Sequence, residues 1–431
     1  MASSSSRADA GDGARPSSSS PSSSPSLLAI GATGPTGRCA IDGLIAAGVP
    51  AGSILALTRA ESGAGARALA ERGVALAAAD LDAEGGAAAV GGGGGGVAGV
   101  LARVPSLRAV YVHALSADAA SADPRELDRA RRLARQLNDA ARPHAVAAAA
   151  TADGTASAAA PSSSSRVAAG QEEHQGGGGP PARPCLDLVL YNSSAGRGAR
   201  SGVSQIQQKQ ECEKILRDGC AGAGFPFLAL QPAMFYEELW KRYTRPSVLE
   251  KGRFPFTVPP DVPVHLVAAR DLGTAAAAAL ADPARFAAMG SLPLAGDVLS
   301  PTQMCAAFER AAREAAGGPG AVATRVTQSR PPAWLFWLLN RDLYRIVRFL
   351  SRPPGYGVDV AAARAAVPRL MTFSAFLRET GWADPSRSYE QGIRYDGDGV
   401  DGGGGLGAED IGEGPDVRVS VAASASASAA E

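Results

Sequence analysis

Residues 27–38 are Leu27-Leu28-Ala29-Ile30-Gly31-Ala32-Thr33-Gly34-Pro35-Thr36-Gly37-Arg38. A short apolar run ends here in a glycine-rich turn. The segment that follows carries Ile41, Leu44 and Ile45 at helical spacing, so it predicts a helix with one apolar face. The order strand, turn, helix is the beginning of a βαβ unit in which parallel strands are joined by helices.

The three glycines of this turn suit a site for a dinucleotide. Gly31 lets the chain turn sharply off the strand, Gly34 leaves the backbone open to a pyrophosphate, and Gly37 lets the helix pack close to the sheet. The N-terminus of the helix offers free N–H groups and a positive dipole end to phosphates. The predicted site also includes Thr33 and Thr36, and an ordinary strand–helix turn is the alternative.

Strands and helices continue to alternate as far as residue 235. This alternation predicts an α/β fold with a doubly wound, parallel Rossmann sheet. After residue 235 the alternation loosens, and we expect a smaller, mostly helical C-terminal cleft domain. The predicted strands are 27–30, 53–59, 74–82, 107–115, 186–194, 225–232, 264–268 and 292–299, and the predicted helices are 36–47, 64–72, 125–142, 206–218, 301–316, 334–350 and 373–380.

Composition divides the chain into ordered and disordered parts. Segments rich in serine, proline, glycine and alanine cannot bury enough apolar surface to offset chain entropy. The expected divisions are a disordered tail at 1–25, a Rossmann domain at 26–235 with a disordered insertion at 145–183, a C-terminal cleft region at 236–385 whose strand near 264–268 returns to the sheet, and a disordered tail at 386–431.

Charge and composition argue against several classes of function. Lys plus Arg and Asp plus Glu both number 42, so no nucleic-acid partner is indicated. The five cysteines and four histidines show no ligand spacing, which predicts no metal site and no disulfide framework. No apolar run has the length of a transmembrane helix. We expect a cytoplasmic protein; the alternative is an organelle (plastid), if the serine-rich N-terminus is a transit peptide.

Several motifs occur in the order found in one known family. Residues 80–82, Asp-Leu-Asp, resemble its "GDLDD", and residues 209–213 resemble its "KAEVE". Residues 230–238 resemble "LRPxxFMEN" with Gln231 in place of arginine, and residues 294–301 resemble "LAGDELTP". With the opening G-x-x-G-x-x-G, these motifs resemble the NmrA-like family of atypical short-chain dehydrogenase/reductases, over about residues 27–382.

The end of the second strand predicts which cofactor binds. Arg59 lies where a carboxylate would hold the ribose hydroxyls of NAD, and a guanidinium there suits the 2′-phosphate of NADP instead. Arg38 is a second candidate for that phosphate. The alternative for Arg59 is a solvated residue at a strand end. The resemblance implies that Asp80 and Leu81 border the adenine, although Asp80 could equally cap the next helix.

The resemblance gives Lys209 the role of binding the nicotinamide ribose; the alternative is a lysine on a helix surface. Dehydrogenases of this superfamily have a tyrosine four residues earlier, where this chain has Gln205. Glutamine exchanges no proton near neutral pH, so the usual proton relay is absent. Ser193 and Ser194 are expected to be polar strand-end residues. Tyr236 is the nearest substitute acid, and a cleft-wall aromatic is the preferred interpretation.

The expected function is that of an NADP(H)-binding NmrA-like protein, redox-sensing or regulatory, with little catalysis and a possible protein partner. The alternative is an NADP-dependent oxidoreductase acting on a small organic substrate. His113 and His265 are expected to be hydrogen-bonded structural residues. The segment 334–350 predicts one amphipathic helix whose apolar face lies in the core, and binding to a membrane surface is the alternative.

Overall fold

The structure is a computed structural model, and it describes residues 24–82, 96–115, 123–141, 186–196, 201–241, 243–317, 325–387, 393 and 395. The predicted insertion at 145–183 lies outside these ranges, as do residues 1–23 of the predicted N-terminal tail.

The chain follows the predicted alternation of strands and helices. The strands are β1 Leu27–Ile30, β2 Ile54–Thr58, β3 Ala75–Ala78, β4 Ala109–Val112, β5 Leu188–Asn192, β6 Phe227–Pro232, β7 Met234–Phe235, β8 Arg253–Pro255, β9 Val264–Val267, β10 Ser291–Leu294, β11 Asp297–Leu299 and β12 Thr327–Ser329. The α-helices are α1 Pro35–Ala46, α2 Ala64–Glu71, α3 Val97–Arg103, α4 Pro124–Ala141, α5 Ser204–Ala223, α6 Arg245–Lys251, α7 Ala269–Ala281, α8 Pro283–Met289, α9 Pro301–Ala315, α10 Ala333–Leu339, α11 Arg341–Leu350, α12 Val360–Ala366 and α13 Phe373–Glu379.

Seven strands form one sheet in the order β10-β6-β5-β4-β1-β2-β3, and neighbouring strands are parallel. The order reverses between β1 and β4, which is the switch point where a doubly wound sheet binds its ligands. The predicted doubly wound Rossmann sheet is therefore confirmed.

Both faces of this sheet are covered by helices. Leu27 and Ala29 of β1 belong to one apolar core, and Leu28 and Ile30 belong to the core on the opposite face. Because successive side chains of a strand point to opposite faces, the continuous apolar run of β1 is what a strand buried on both sides requires.

A third apolar core lies in the C-terminal region. It surrounds Trp240, Phe308 and Trp382, which are fully buried. Two small sheets accompany it, one in the order β11-β9-β7 and the other formed by β12 and β8.

The prediction for the strand that returns to the main sheet is wrong. Residues 264–267 pair with β7 and β11 in a small sheet, and β10 joins the main sheet beside β6. The predicted strand 292–299 is two strands, because the chain leaves the main sheet at Ala295 and Gly296. The local pattern of apolar residues does not determine which distant strand becomes the partner.

The predicted helix 334–350 is also wrong in two respects. It breaks at Asn340, whose side chain accepts hydrogen bonds from the N–H groups of Asp342 and Leu343 and so begins a new helix. The apolar face of α10 is not in the core, since Trp337 is 53% exposed. Phe349 and Leu350 at the end of α11 are buried in the third core.

The predicted disordered tail at 386–431 includes four described residues, of which two are buried. Ile393 and Tyr395 are buried in the third core, and the Tyr395 hydroxyl donates to Glu237 Oε1 at 2.6 Å. These two large side chains stand in a stretch of the sequence that is otherwise rich in glycine and charge.

Within the described ranges, no helix combines the length and the apolar character needed to cross a membrane.

Candidate functional site

The glycine-rich turn follows β1 at the switch point of the sheet. Gly31 has φ +75°, and a Cβ atom there would lie 2.5 Å from the Ala114 carbonyl oxygen. A Cβ atom on Gly37 would lie 2.4 Å from the Gly31 carbonyl oxygen. Both positions therefore exclude any side chain, Gly31 through its backbone conformation and the close approach of β4, and Gly37 through the packing of α1 against the turn.

Gly34 is different, because its surroundings are open. Among the described residues, a Cβ atom there would meet only the Gly31 carbonyl oxygen, at 4.0 Å. Gly34 directly precedes α1, and no described side chain caps the first turn of that helix. The first N–H groups of a helix need a partner, and an anion can provide one. The turn therefore combines an open backbone with an adjacent helix start that no described side chain caps.

Arg38 supports the turn from within the protein. It is buried, and its Nη1 donates to the Thr33 carbonyl oxygen at 3.0 Å. Gly65 of α2 lies against the same place, since a Cβ atom there would be 2.2 Å from that carbonyl oxygen. The guanidinium thus holds the loop, whereas the sequence predicted a contact to the 2′-phosphate.

The ends of β2 and β3 carry the other predicted cofactor residues. Arg59 follows β2 directly and is exposed. Asp80 Oδ1 accepts a hydrogen bond from the Asp82 N–H at 2.9 Å, which closes a turn between them. Leu81 is half-buried. The strands β1, β2 and β3 are parallel neighbours, so their carboxyl ends lie at one edge of the sheet. All of these residues are therefore at the same edge as the glycine turn.

His113 connects the glycine turn to β4. Its Nε2 lies 2.9 Å from the Thr36 hydroxyl oxygen, and its Nδ1 lies 2.9 Å from the Tyr111 hydroxyl oxygen. Burial, with a smaller contribution from the charge of Lys209, lowers the pKa of His113 to about 3. The imidazole is therefore neutral at physiological pH. His113 is a hydrogen-bonded structural residue, as expected, and its link to Thr36 was not visible in the sequence.

Lys209 forms an ion pair that the sequence did not predict. Its Nζ lies 2.5 Å from Glu126 Oε1 of α4, and the Glu126 side chain is 3% exposed. A signal for Glu126 was present, because it shares helical spacing with the buried residues Ala130, Leu133 and Leu137. A carboxylate on a buried helix face requires a partner of opposite charge.

The residues around Lys209 include several polar side chains. Ser193 is buried, and its hydroxyl donates to the Lys209 carbonyl oxygen at 3.4 Å. Asn192 donates from Nδ2 to the His113 carbonyl oxygen at 3.2 Å, while its buried Oδ1 accepts no hydrogen bond from any described residue. Gln205 lies one helical turn before Lys209 on α5. The cluster therefore combines a cation with an unsatisfied buried acceptor at the carboxyl ends of β4 and β5.

Tyr236 does not belong to this cluster. It is fully buried between Phe373 and Phe376, and its hydroxyl donates to the Met371 carbonyl oxygen at 3.3 Å. Burial raises the pKa of this phenol well above its usual value. Tyr236 is a core residue. The prediction that it is a cleft-wall aromatic is therefore wrong, and so is its alternative role as a substitute acid.

Two buried carboxyl groups, those of Glu237 and Asp271, lie in the C-terminal region. Glu237 accepts from the Ala269 N–H at 2.9 Å and from Tyr395, and Asp271 Oδ2 accepts from the Met371 N–H at 3.0 Å. Burial raises the pKa of Glu237 from 4.5 to about 7 and the pKa of Asp271 from 3.8 to about 7. The folded protein therefore holds these protons more tightly than the unfolded chain does.

This difference predicts that stability falls as the pH rises. The stabilisation by the bound protons is complete below about pH 4 and is lost as the pH rises through about 7. We expect a loss of about 3 kcal/mol per carboxyl in the free energy of unfolding, which urea titrations at several pH values measure. Glu237→Gln should flatten the profile, while Glu314→Gln, on the exposed end of α9, should leave it unchanged. An identical profile for both variants would contradict the assignment.

Comparison with known proteins gives a likeness in structure only. No family model and no curated protein matches the sequence. Triphenylmethane reductase of Citrobacter sp., crystallised with NADP(H), has a TM-score of 0.53 at 14% identity and covers 81% of this chain and 97% of its own. NmrA, a negative transcriptional regulator crystallised with NADP, has a TM-score of 0.51 at 16% identity. The match covers 83% of this chain and 95% of NmrA. A structure from the pinoresinol-lariciresinol and phenylcoumaran benzylic ether reductases has a TM-score of 0.52 at 12% identity. The match covers 81% of this chain and 97% of the reductase. The chain therefore has the fold of these reductases and of NmrA, over nearly the whole length of each.

Proposed function

We propose that this chain binds NADP(H) at the switch point of its sheet, as an NmrA-like redox-sensing or regulatory protein with little catalysis. The observation that carries the proposal is the glycine turn, where the open backbone of Gly34 directly precedes the start of α1, which no described side chain caps. A pyrophosphate would satisfy the N–H groups there. The proteins of the same fold that were crystallised with NADP(H) or NADP support this choice.

We assign the remaining cofactor contacts to residues at the ends of β2 and β3. Arg59 is exposed at the end of β2, which supports a contact from its guanidinium to a 2′-phosphate, and we assign Asp80 and Leu81 to the border of the adenine. The Lys209 ammonium has three N–H donors, of which Glu126 accepts one, so donors remain for the nicotinamide ribose. When bound, the nicotinamide supplies hydride chemistry, and Lys209 would orient its ribose.

The candidate proton donors support binding of the cofactor more than turnover. Gln205 cannot supply a proton, and the Tyr236 hydroxyl is buried against a carbonyl oxygen. The neutral imidazole of His113 is also occupied, by two hydroxyl groups. General acid–base assistance is worth about 10²–10⁴ in rate, so its loss leaves a slow reductase at best. A signal would then pass from the cofactor to a protein partner.

Arg59 predicts the preference between the two cofactors. NADP(H) should bind more tightly than NAD(H), and Arg59→Glu should reverse or abolish this preference. The variant loses a charge-assisted pair and adds repulsion, which together should cost about 2–3 kcal/mol or roughly a hundredfold in affinity. Calorimetry with both cofactors measures the effect. Arg67→Glu, an exposed arginine on α2, is the matched control. Equal affinities for NAD and NADP in the unmodified protein would refute the assignment.

Turnover assays separate the regulatory function from its alternative, an NADP-dependent oxidoreductase acting on a small organic substrate. We expect tight NADPH binding and little oxidation of NADPH with aldehydes, ketones or quinones. Comparing Glu126→Gln with Glu126→Gln/Lys209→Met tests the lysine without leaving a buried charge, and the lysine should contribute about 1.5–3 kcal/mol to NADPH binding. Rapid oxidation that the double variant abolishes would instead establish the reductase.

A further inference from the structure

The surface of α10 and the start of α11 is unusually apolar. Seven large apolar side chains are exposed in the described part of the chain, and four of them lie between residues 334 and 343. Trp334 is 64% exposed, Trp337 53%, Leu338 66% and Leu343 37%. The first three follow the i, i+3, i+4 spacing of one helix face. We call these four residues the aromatic patch, and a patch of this kind marks an interaction surface.

The aromatic patch lies on the surface of the protein, outside the apolar cores. None of residues 333–338 is buried. In contrast, α11 is anchored, because Phe349 and Leu350 at its end are buried in the third core and Arg345 donates to the Ser204 hydroxyl at 3.1 Å. The anchored α11 thus presents residues 333–338 of α10 at the surface.

Arginines surround the aromatic patch. Residues 325–352 contain six arginines and one acidic residue, Asp342, in a chain whose basic and acidic residues are equal in number. Arg345 pairs with Asp342 at 2.9 Å. The Arg341 guanidinium lies 5.8 Å from the centre of the Trp337 ring, and that of Arg348 lies 5.9 Å from the centre of the Tyr344 ring. The segment therefore joins exposed tryptophans to a local excess of positive charge.

We propose that the aromatic patch docks on an anionic lipid surface. Tryptophan rings settle at the boundary between headgroups and acyl chains, and arginines beside them attract anionic headgroups. A second copy of this chain is a poorer occupant, because a two-fold interface would bring the arginines of one copy against those of the other. The proposal is independent of the cofactor.

The helix that carries the end of the aromatic patch, α11, also contacts the elements of the candidate cofactor site. Phe349 lies 3.4 Å from the position that a Cβ atom on Gly196 would take, and Gly196 follows β5 at the carboxyl edge of the sheet. Ser204, which Arg345 contacts, is the first residue of α5, the helix that carries Lys209. A protein held on lipid through α10 would therefore have this edge of the sheet close to the membrane surface.

Fluorescence of the unmodified protein tests the proposal directly. The chain has four tryptophans, and Trp240 and Trp382 are fully buried. Lipids with brominated acyl chains should therefore quench only Trp334 and Trp337. We expect quenching with vesicles of phosphatidylcholine and phosphatidylserine, and its loss at high salt or with phosphatidylcholine alone. Absence of quenching by the anionic vesicles would overturn the proposal.

Variants then locate the contact by vesicle sedimentation. Trp334→Ser/Trp337→Ser should weaken binding at least about tenfold, because the apolar burial is lost. Arg341→Gln/Arg348→Gln should weaken it about 20-fold, near fivefold for each charge. Met289→Ser and Arg313→Gln alter exposed residues elsewhere and should bind as before.

Two results would contradict lipid docking. One is equal vesicle binding by the patch variants and the controls. The other is a dimer, seen by light scattering, that the tryptophan variant dissociates while no form of the protein binds vesicles; that result would favour a second copy as the occupant. Melting temperatures show whether each variant is folded, and the quenching experiment needs no variant.

Discussion

Gly273→Ala should destabilise the protein by about 3 kcal/mol or more, the upper range for overpacking. A Cβ atom at this position of α7 would lie 1.9 Å from the Ala40 carbonyl oxygen and 2.5 Å from the Leu44 nitrogen of α1. Gly43 faces the same contact, since a Cβ atom there would lie 2.0 Å from the Arg270 carbonyl oxygen. Backbone atoms cannot rotate away as a side chain can, so the two helices would have to separate.

Urea denaturation followed by circular dichroism measures this loss. Gly99→Ala is the matched control, because Gly99 is also helical and a Cβ atom there would meet, in the part of the chain that the structure describes, only the flexible Arg103 guanidinium, at 3.3 Å. Alanine is the better helix former, so the control should gain about 0.5–1 kcal/mol. If both variants were equally stable, α1 and α7 would not pack as closely as described.

The second large effect is expected at the Lys209–Glu126 ion pair. Lys209→Met leaves a carboxylate that is 3% exposed without its cation, and breaking a buried pair in this way costs about 3–5 kcal/mol. Urea denaturation curves of the variant and the unmodified protein measure this loss.

Two further variants separate the pair from the lysine itself. Glu126→Gln/Lys209→Met should recover much of the lost stability, because no charge remains buried. Lys214→Met, an exposed lysine on the same helix, should change stability by less than about 0.5 kcal/mol. A small effect of Lys209→Met alone would mean that Glu126 reaches water and does not depend on the pair.

The sequence predicted the main sheet well because its signals are local. Continuous apolar runs are sufficient to predict strands buried on both faces, and the glycine turn marks where the first of them ends. The turn also predicted the place of the candidate site, at the switch point between β1 and β4.

Partners that are distant in the sequence were not predictable in this way. The ion pair joins residues 83 positions apart, and no periodicity specifies that Glu126 meets Lys209. The same holds for β10, which joins the main sheet although β9 was expected there. At Asn340 the difficulty was different, because the apolar pattern continues through the break and conceals a helix cap.

The position of His113 has a consequence for spectroscopy. The chain has four histidines, and His113 is hydrogen-bonded through Nε2 to Thr36 of the glycine turn. The charge of Lys209 also contributes to lowering its pKa. A phosphate bound by the Thr36 hydroxyl would compete with the imidazole for that group. The resonances of one buried ring would then report, without any added label, whether the glycine turn is occupied.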